Sequence, residues 1–380
     1  MNILVVNYRD RMHPAAGGAE KHLHRIFSQI VEAGHKVVLF TTAFAGCKAR
    51  ETVDGIEVIR KGGDLLFQLT VAMNIRKLDR EFNFDVVVED LNKLPLFTPF
   101  LTKKPVVVQM HHLWRSSIFH EASFPIAFMV WAFERVIPWF YRKQPFVVVS
   151  PSTKYELEEI GIDEDRISVI YNGSDDVDPS QVVATEDVPS TPYFLWLSRV
   201  HHYKGIWTAL EAFEEFAENE NHPDVKLVVA GDGPLLKKIP AWLKERGLTE
   251  RVELLGFVTP SKKRALLQKA VALLQTSYKE GWGLTVVEAA RLGTTTIASD
   301  VPGLRDSVRN GETGLLFPVG DFHTCASEMD RLYSDDDLRT RLSAAAKSYA
   351  GEFRWDIAAE KTLDLLQDAV IERQVGGGNE

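Results

Sequence analysis

Along the chain, short runs of aliphatic and β-branched residues alternate with longer stretches whose apolar positions return every three or four residues. The runs at 3–7, 37–41, 56–60, 86–89, 106–110, 147–150 and 168–171 predict strands. Phe146, Val147, Val148 and Val149 are apolar without a break, the mark of a strand buried on both faces as in parallel sheets. Between strands, Leu23, Ile26, Phe27 and Ile30 keep helical spacing within 21–33. Strand and helix in alternation build βαβ units around a parallel sheet.

The pattern breaks between Asn172 and Pro192. There Asp175, Asp176, Asp178 and Pro179, then Pro189 and Pro192, make a polar, proline-containing connection that predicts a domain boundary. Alternation then restarts, with strands predicted at 193–197, 226–230, 252–255, 271–274, 295–298 and 315–317. Helices are predicted at 206–216, 235–246, 261–269, 284–292 and 325–332, with one more amphipathic helix at 356–371. The glycines 376–378 read as a disordered end. The fold class expected is α/β, two successive doubly wound domains.

A length of 380 residues suits two such domains better than one core. The net charge of −9 argues against nucleic acid as a partner while leaving room for a local basic site. Cys47 and Cys325 are far apart and belong to no metal-binding cluster, so two buried free thiols in a reducing compartment are expected. The first residues read as a strand and not as a secretory leader, and the apolar stretch 122–133 is too short to span a bilayer. A cytoplasmic location is the expectation.

Open α/β sheets bind ligands at the carboxyl ends of their strands, so the loops there carry the candidate chemistry. After the first strand, Gly17 and Gly18 precede Ala19 and Glu20 at a helix start, where backbone can approach an anion closely. The pair also fits an ordinary tight turn, and it is not a dinucleotide fingerprint. Arg199 follows the 193–197 strand, and Lys204 with Gly205 precedes a helix. Both cations can converge on one diphosphate, or both can be solvated surface charges. Glu280, Gly281, Trp282, Gly283 and Leu284 turn into a helix that carries Glu288. Sugar hydroxyls would satisfy such carboxylates, whereas a helix-start charge and an exposed glutamate are the plainer alternative. His111 and His112 follow the 106–110 strand, a place for catalysis or for a structural histidine. The acidic triplets at 175–178 and 335–337 read as loop and helix-start charges, so no metal site is expected. Cations such as Arg199 and Lys204 would then neutralise a leaving diphosphate.

These motifs in this order resemble the large family 4 of retaining glycosyltransferases, over nearly the whole chain. The resemblance runs from Gly17-Gly18-Ala19-Glu20 through Gly34-His35-Lys36-Val37, Asn172-Gly173, Ser198-Arg199 and Lys204-Gly205. It continues through Gly231-Asp232-Gly233-Pro234 and Gly256-Phe257-Val258 to the 280–288 segment and Gly311-x-x-Gly314-Leu315-Leu316. It implies a GT-B fold, two Rossmann-like domains facing a central cleft. The N-terminal, acceptor-side domain would be 1–173, with a C-terminal helix at about 352–373 packing back on it. The donor domain would be 174–351, and 374–380 a disordered tail. It implies a nucleotide diphosphate sugar as donor, a sugar, glycan or lipid-linked acceptor, and transfer with retention and no metal or other cofactor.

By the same resemblance, Glu280 contacts donor sugar hydroxyls and Glu288 the ribose. Arg199 and Lys204 hold the diphosphate, and Gly17 or Gly18 lies against the phosphates. Phe257 and Val258 flank the base, and His111 faces the reacting sugar. Trp282 stands where the family commonly has Phe, and His201 and His202 have no assigned role. Two rivals are a non-catalytic nucleotide-sugar binder and a nicotinamide-dependent dehydrogenase, which the missing fingerprint disfavours. Finally, 124–143 is apolar nearly all round and ends in aromatics beside Arg142 and Lys143, with Pro138 expected to break its helix. It suits either a buried helix or peripheral contact with the inner face of an anionic membrane.

Overall fold

The first strand, Asn2 to Val6, forms because Ile3, Leu4, Val5 and Val6 bury fully on both sides of a sheet. In the computed structural model, every residue is described except 92–93, 122, 176–187, 220–221 and 377–380. The chain divides into two units, Ser174–Arg354 and the remainder, Met1–Gly173 with Trp355–Glu380.

In the first unit the elements are β1 (Asn2–Val6), α1 (Gly18–Glu32), β2 (Lys36–Thr41), β3 (Arg50–Val53), β4 (Ile56–Arg60) and α2 (Phe67–Phe82). β5 (Val86–Asp90), β6 (Val106–Met110), α3 (Phe124–Tyr141), β7 (Phe146–Val148), α4 (Pro151–Glu159) and β8 (Ile167–Val169) follow. The eight strands lie in the order β3-β4-β2-β1-β5-β6-β7-β8. Only β3 runs antiparallel, paired to β4 across a turn in which Asp54 and Gly55 both take positive φ. Sequence pattern missed β3 because its four residues are charged or half-exposed, as an edge strand's are. The predicted strand at 147–150 is shorter. Ser150 leaves it to cap α4, its hydroxyl accepting from the Thr153 N–H at 3.2 Å.

Pro138 does not break its helix; α3 continues through it to Tyr141. A proline in the last turn forfeits one backbone bond, and Tyr141 holds that turn by other means. Its buried hydroxyl donates to Glu89 at 2.6 Å and accepts from the Phe97 N–H at 2.8 Å.

The second unit contains β9 (Tyr193–Leu197), α5 (Ile206–Ala217), β10 (Lys226–Ala230), α6 (Ile239–Glu245), β11 (Val252–Gly256), α7 (Pro260–Lys269) and β12 (Leu273–Gln275). Then come α8 (Leu284–Arg291), β13 (Thr296–Ser299), α9 (Pro302–Ser307), β14 (Gly314–Phe317), α10 (Phe322–Ser334) and α11 (Asp336–Ala350). Its six strands are all parallel, in the order β11-β10-β9-β12-β13-β14. The helix predicted at 235–246 starts only at Ile239, after a 3-10 turn, because Pro240 fits a first turn and not a helix interior. Asp335 caps α11 by accepting from the Leu338 N–H at 2.8 Å. Asp176, Asp178 and glycines 377 and 378 lie outside the described residues.

The last helix, α12 (Trp355–Gly376), packs against α1 of the first unit, burying Ala358, Ala359, Thr362 and Leu366. Of the two cysteines Cys325 is fully buried, whereas Cys47 is only half-buried, because it sits in the loop before β3.

Candidate active site

Strand order reverses between β9 and β12 in the second unit, so the loops after these two strands open a crevice at the carboxyl edge. The loop after β9 carries Arg199, His201, Tyr203 and Lys204, and the loop after β12 carries Glu280. Gly205 sits between Lys204 and α5 with φ of 67°, and a Cβ there would lie 1.8 Å from the Thr276 carbonyl oxygen. Only glycine lets the two loops touch in this way. Thr276 fastens them, its hydroxyl donating to the Gly205 carbonyl at 2.7 Å.

Lys204 and Glu280 meet in this crevice. The ammonium donates to Glu280 Oε2 at 2.5 Å, with both side chains largely buried. Arg199 is more exposed and donates to the Tyr203 hydroxyl at 2.6 Å. The Tyr203 ring has Lys204 Nζ 5.0 Å and the Arg199 guanidinium 6.0 Å from its centroid, so the two cations share one neighbour. Burial lowers the pKa of His201, and the nearby charges of Arg199 and Lys204 add to this, so its imidazole stays neutral. His202 stacks on Tyr278 with centroids 5.7 Å apart.

Gly281 and Gly283 shape the turn into α8. Gly283 takes φ of 83° at the helix start, and a Cβ on Gly303 of α9 would press within 2.4 Å of the Glu280 carbonyl. Trp282 is buried. Its indole packs edge-on against Phe353, 4.9 Å between centroids, and so anchors the loop. Leu284 opens α8 half-buried, and Glu288, one turn on, accepts from Lys263 of α7 at 2.7 Å. Phe257, 83% exposed, follows β11, and Val258 is half-buried against the sheet.

In the first unit the reversal falls between β1 and β5. Gly17 caps α1, which Gly18 opens, and the Gly17 N–H donates to the Glu20 carboxylate at 2.6 Å. His111, just past β6, is buried, with Nε2 3.3 Å from Asp90 at the end of β5. Burial lowers the His111 pKa, but the charge of Asp90 and the hydrogen bond to it outweigh this and raise it. His22 of α1 stands edge-on to His111 at 5.0 Å and bonds Asn172 through Nδ1. Burial and the neighbouring His111 push the His22 pKa down to about 3, so it is neutral. His112 turns aside, edge-on to Trp114.

Sequence reasoning missed Asp90, His22, Lys263 and Tyr203. Asp90 was within reach, since it ends a buried strand at the same edge as His111. The other three sit on helices or a turn, where only folding shows what they face.

Two doubly wound α/β units in succession, each with its ligand-binding edge at a switch point, define the GT-B fold. Two family models match in succession, "Glycosyltransferase Family 4" over residues 16–178 and "Glycosyl transferases group 1" over 183–349. The chain belongs to glycosyltransferase family 4. It is 28% identical over 247 residues to D-inositol 3-phosphate glycosyltransferase of Corynebacterium glutamicum, a match spanning 60% of this chain and 59% of that protein. It is 25% identical to glycogen synthase of Mycobacterium tuberculosis, over 96% of this chain and 94% of that one. Among solved structures, sucrose-phosphate synthase from Thermosynechococcus elongatus superposes with a TM-score of 0.80 at 20% identity, covering 97% of this chain and 98% of that one. Anabaena HepE in complex with UDP and glucose gives 0.76 at 19%, covering 97% and 100%.

Proposed function

We propose that the protein moves a hexose-type sugar from a nucleotide diphosphate donor to an acceptor hydroxyl, with retention of configuration and without a metal ion. The acceptor in this reading is a glycan, a polysaccharide precursor or a lipid-linked sugar. The observation that carries it is the Lys204–Glu280 pair at the switch point, a cation for a phosphate beside a carboxylate for hydroxyls. Relatives named for glycosyl transfer, and a neighbour of the same fold holding UDP and glucose, support it.

In this mechanism the bond from the sugar anomeric carbon to the diphosphate breaks and the acceptor oxygen bonds to that carbon on the same face. The acceptor proton passes to the departing diphosphate oxygen. Lys204 and Arg199 stabilise the charge that develops there, which is where preorganised donors lower a barrier most. Glu280 holds sugar hydroxyls, and Glu288, positioned by its ion pair with Lys263, holds the ribose. Within the first unit, Asp90 orients His111 just past the end of β6, the residue we assign to the reacting sugar.

A panel of nucleotide sugars scored by diphosphate release tests this. At least one donor is slowly hydrolysed, Lys204→Ala slows release by about two to three orders of magnitude, and a chelator leaves the rate unchanged. Activity lost to the chelator and restored by magnesium or manganese would defeat the metal-free scheme. Tight nucleotide binding with no release from any donor would instead favour the non-catalytic binder.

A further inference from the structure

The first unit presents a strip of aromatic and aliphatic side chains to solvent that neither its core nor the donor loops explain. On α3, Phe124, Phe128, Trp131, Arg135, Trp139 and Arg142 follow one another at steps of three and four residues, so they line one helix face. Phe124 is 71% exposed and Trp139 78%. Ile126, Met129 and Phe140 are exposed elsewhere on the helix, while Ala127, Ile137 and Tyr141 pack inward. Phe119, Phe124, Phe128 and Trp131 form a continuous ring cluster, neighbouring centroids 5.7–6.5 Å apart, and the Arg135 guanidinium lies 3.8 Å over Trp131.

A second strip lies over the same layer. Core side chains of α2 and α3 join one cluster beneath the sheet, whereas α12 packs on α1, whose crossover runs in the opposite direction. Around the start of α2, Leu65, Leu66, Leu69 and Met73 are each more than half exposed.

Charge says what this layer meets. In a chain of net charge −9, the exposed cations Arg76, Lys77, Arg80, Lys103, Arg135, Arg142 and Lys143 gather on α2, α3, the turn after α3 and the loop before β6, while the acids of α2, Asp79 and Glu81, pair with Lys104 and Arg50. Within α3 the one acid, Glu134, is spent on the backbone N–H groups of Trp114 and Arg115 at 2.6 and 2.7 Å. Self-association of two copies through this face would gather both sets of Arg135, Arg142 and Lys143 in one interface, where like charges disfavour contact. Among the described residues no helix is long and apolar enough to cross a membrane.

We infer that the α2–α3 layer of the first unit docks on the surface of an anionic lipid bilayer, the aromatics entering the interface and the cations facing lipid phosphates. This deepens the proposed function by placing the acceptor at a lipid surface. It does not depend on the transfer chemistry, because vesicle binding and donor hydrolysis are measured separately.

The test is sedimentation of the full chain with phosphatidylcholine vesicles, with and without phosphatidylglycerol. The parent binds the anionic vesicles and loses binding as salt is raised. Phe124→Ser and Trp139→Ser each weaken binding about tenfold, and Arg142→Glu with Lys143→Glu weakens it by about tenfold or more. All of these variants retain the parent's circular dichroism and donor hydrolysis, since the changed side chains are exposed and outside the donor loops. No binding to anionic vesicles at low salt would overturn the inference. So would binding indifferent to these substitutions, or a parent dimer in light scattering that Phe124→Ser converts to monomer, which would assign the face to a second copy.

Discussion

Lys204 and Glu280 illustrate how one contact can serve two purposes. Without ligand each satisfies the other, and breaking such a pair from one side leaves a charge in a poorly solvated place. Glu280→Gln therefore frees Lys204 as well as losing a carboxylate. It is expected to lower kcat for donor hydrolysis, whereas Glu288→Gln mainly raises KM, a split that steady-state kinetics resolves. Indistinguishable kinetics for both variants and the parent would remove the donor site from this loop. His22 offers a pH test in the first unit. Its pKa is depressed to about 3, so the folded state holds it neutral while the unfolded chain protonates it near its usual value. Its contribution to stability is present above about pH 6.5 and is lost as pH falls toward the folded value. Between about pH 7 and about pH 5 the parent loses roughly 1–2 kcal/mol more unfolding free energy than His22→Gln, as read by urea titration. Equal slopes for the two proteins would show that His22 is not held neutral.

At the scale of elements, glycines decide where loops can meet. Gly34, with φ of 91°, needs left-handed backbone to end α1 but has open space around it. Gly205 needs both the left-handed backbone and the missing Cβ. Gly205→Ala would press a methyl into the Thr276 carbonyl, so either the β9 loop shifts or the unit loses stability. The expected result is a loss of at least about 2 kcal/mol in unfolding free energy together with weakened nucleotide binding. A variant as stable and as tight-binding as the parent would mean the two loops are not locked together. That a glycine stood beside Lys204 was legible in the sequence. That it faced Thr276 was not, because the two positions are far apart in the chain and meet only when β12 pairs with β9.

For the molecule as a whole, the chain's two units are not two halves of the sequence. The second is continuous, Ser174–Arg354, whereas the first is completed by α12, whose Leu366 and neighbouring alanines bury near α1. Expressed alone, 174–354 is expected to unfold cooperatively, but 1–173 without α12 exposes the inner side of α1 and loses its cooperative transition. Calorimetry of both pieces checks this. A well-folded 1–173 would make α12 an accessory to that unit.

The sequence by itself determined the strands that bury on both faces, the two doubly wound sheets and the family, because continuous apolar runs and glycine turns are local signals. It also identified the loops that carry Arg199, Lys204, Glu280 and His111, since those loops follow recognisable strands, and the helix start that carries Glu288. Only the tertiary structure decided their partners: Lys263 for Glu288, Asp90 and His22 around His111, and Phe353 against Trp282. It also decided that α3 passes through Pro138 and turns an aromatic face outward. Each of these depends on which distant segments are brought side by side. A side chain's burial and pairing are properties of that arrangement, and residue type and spacing alone do not contain them.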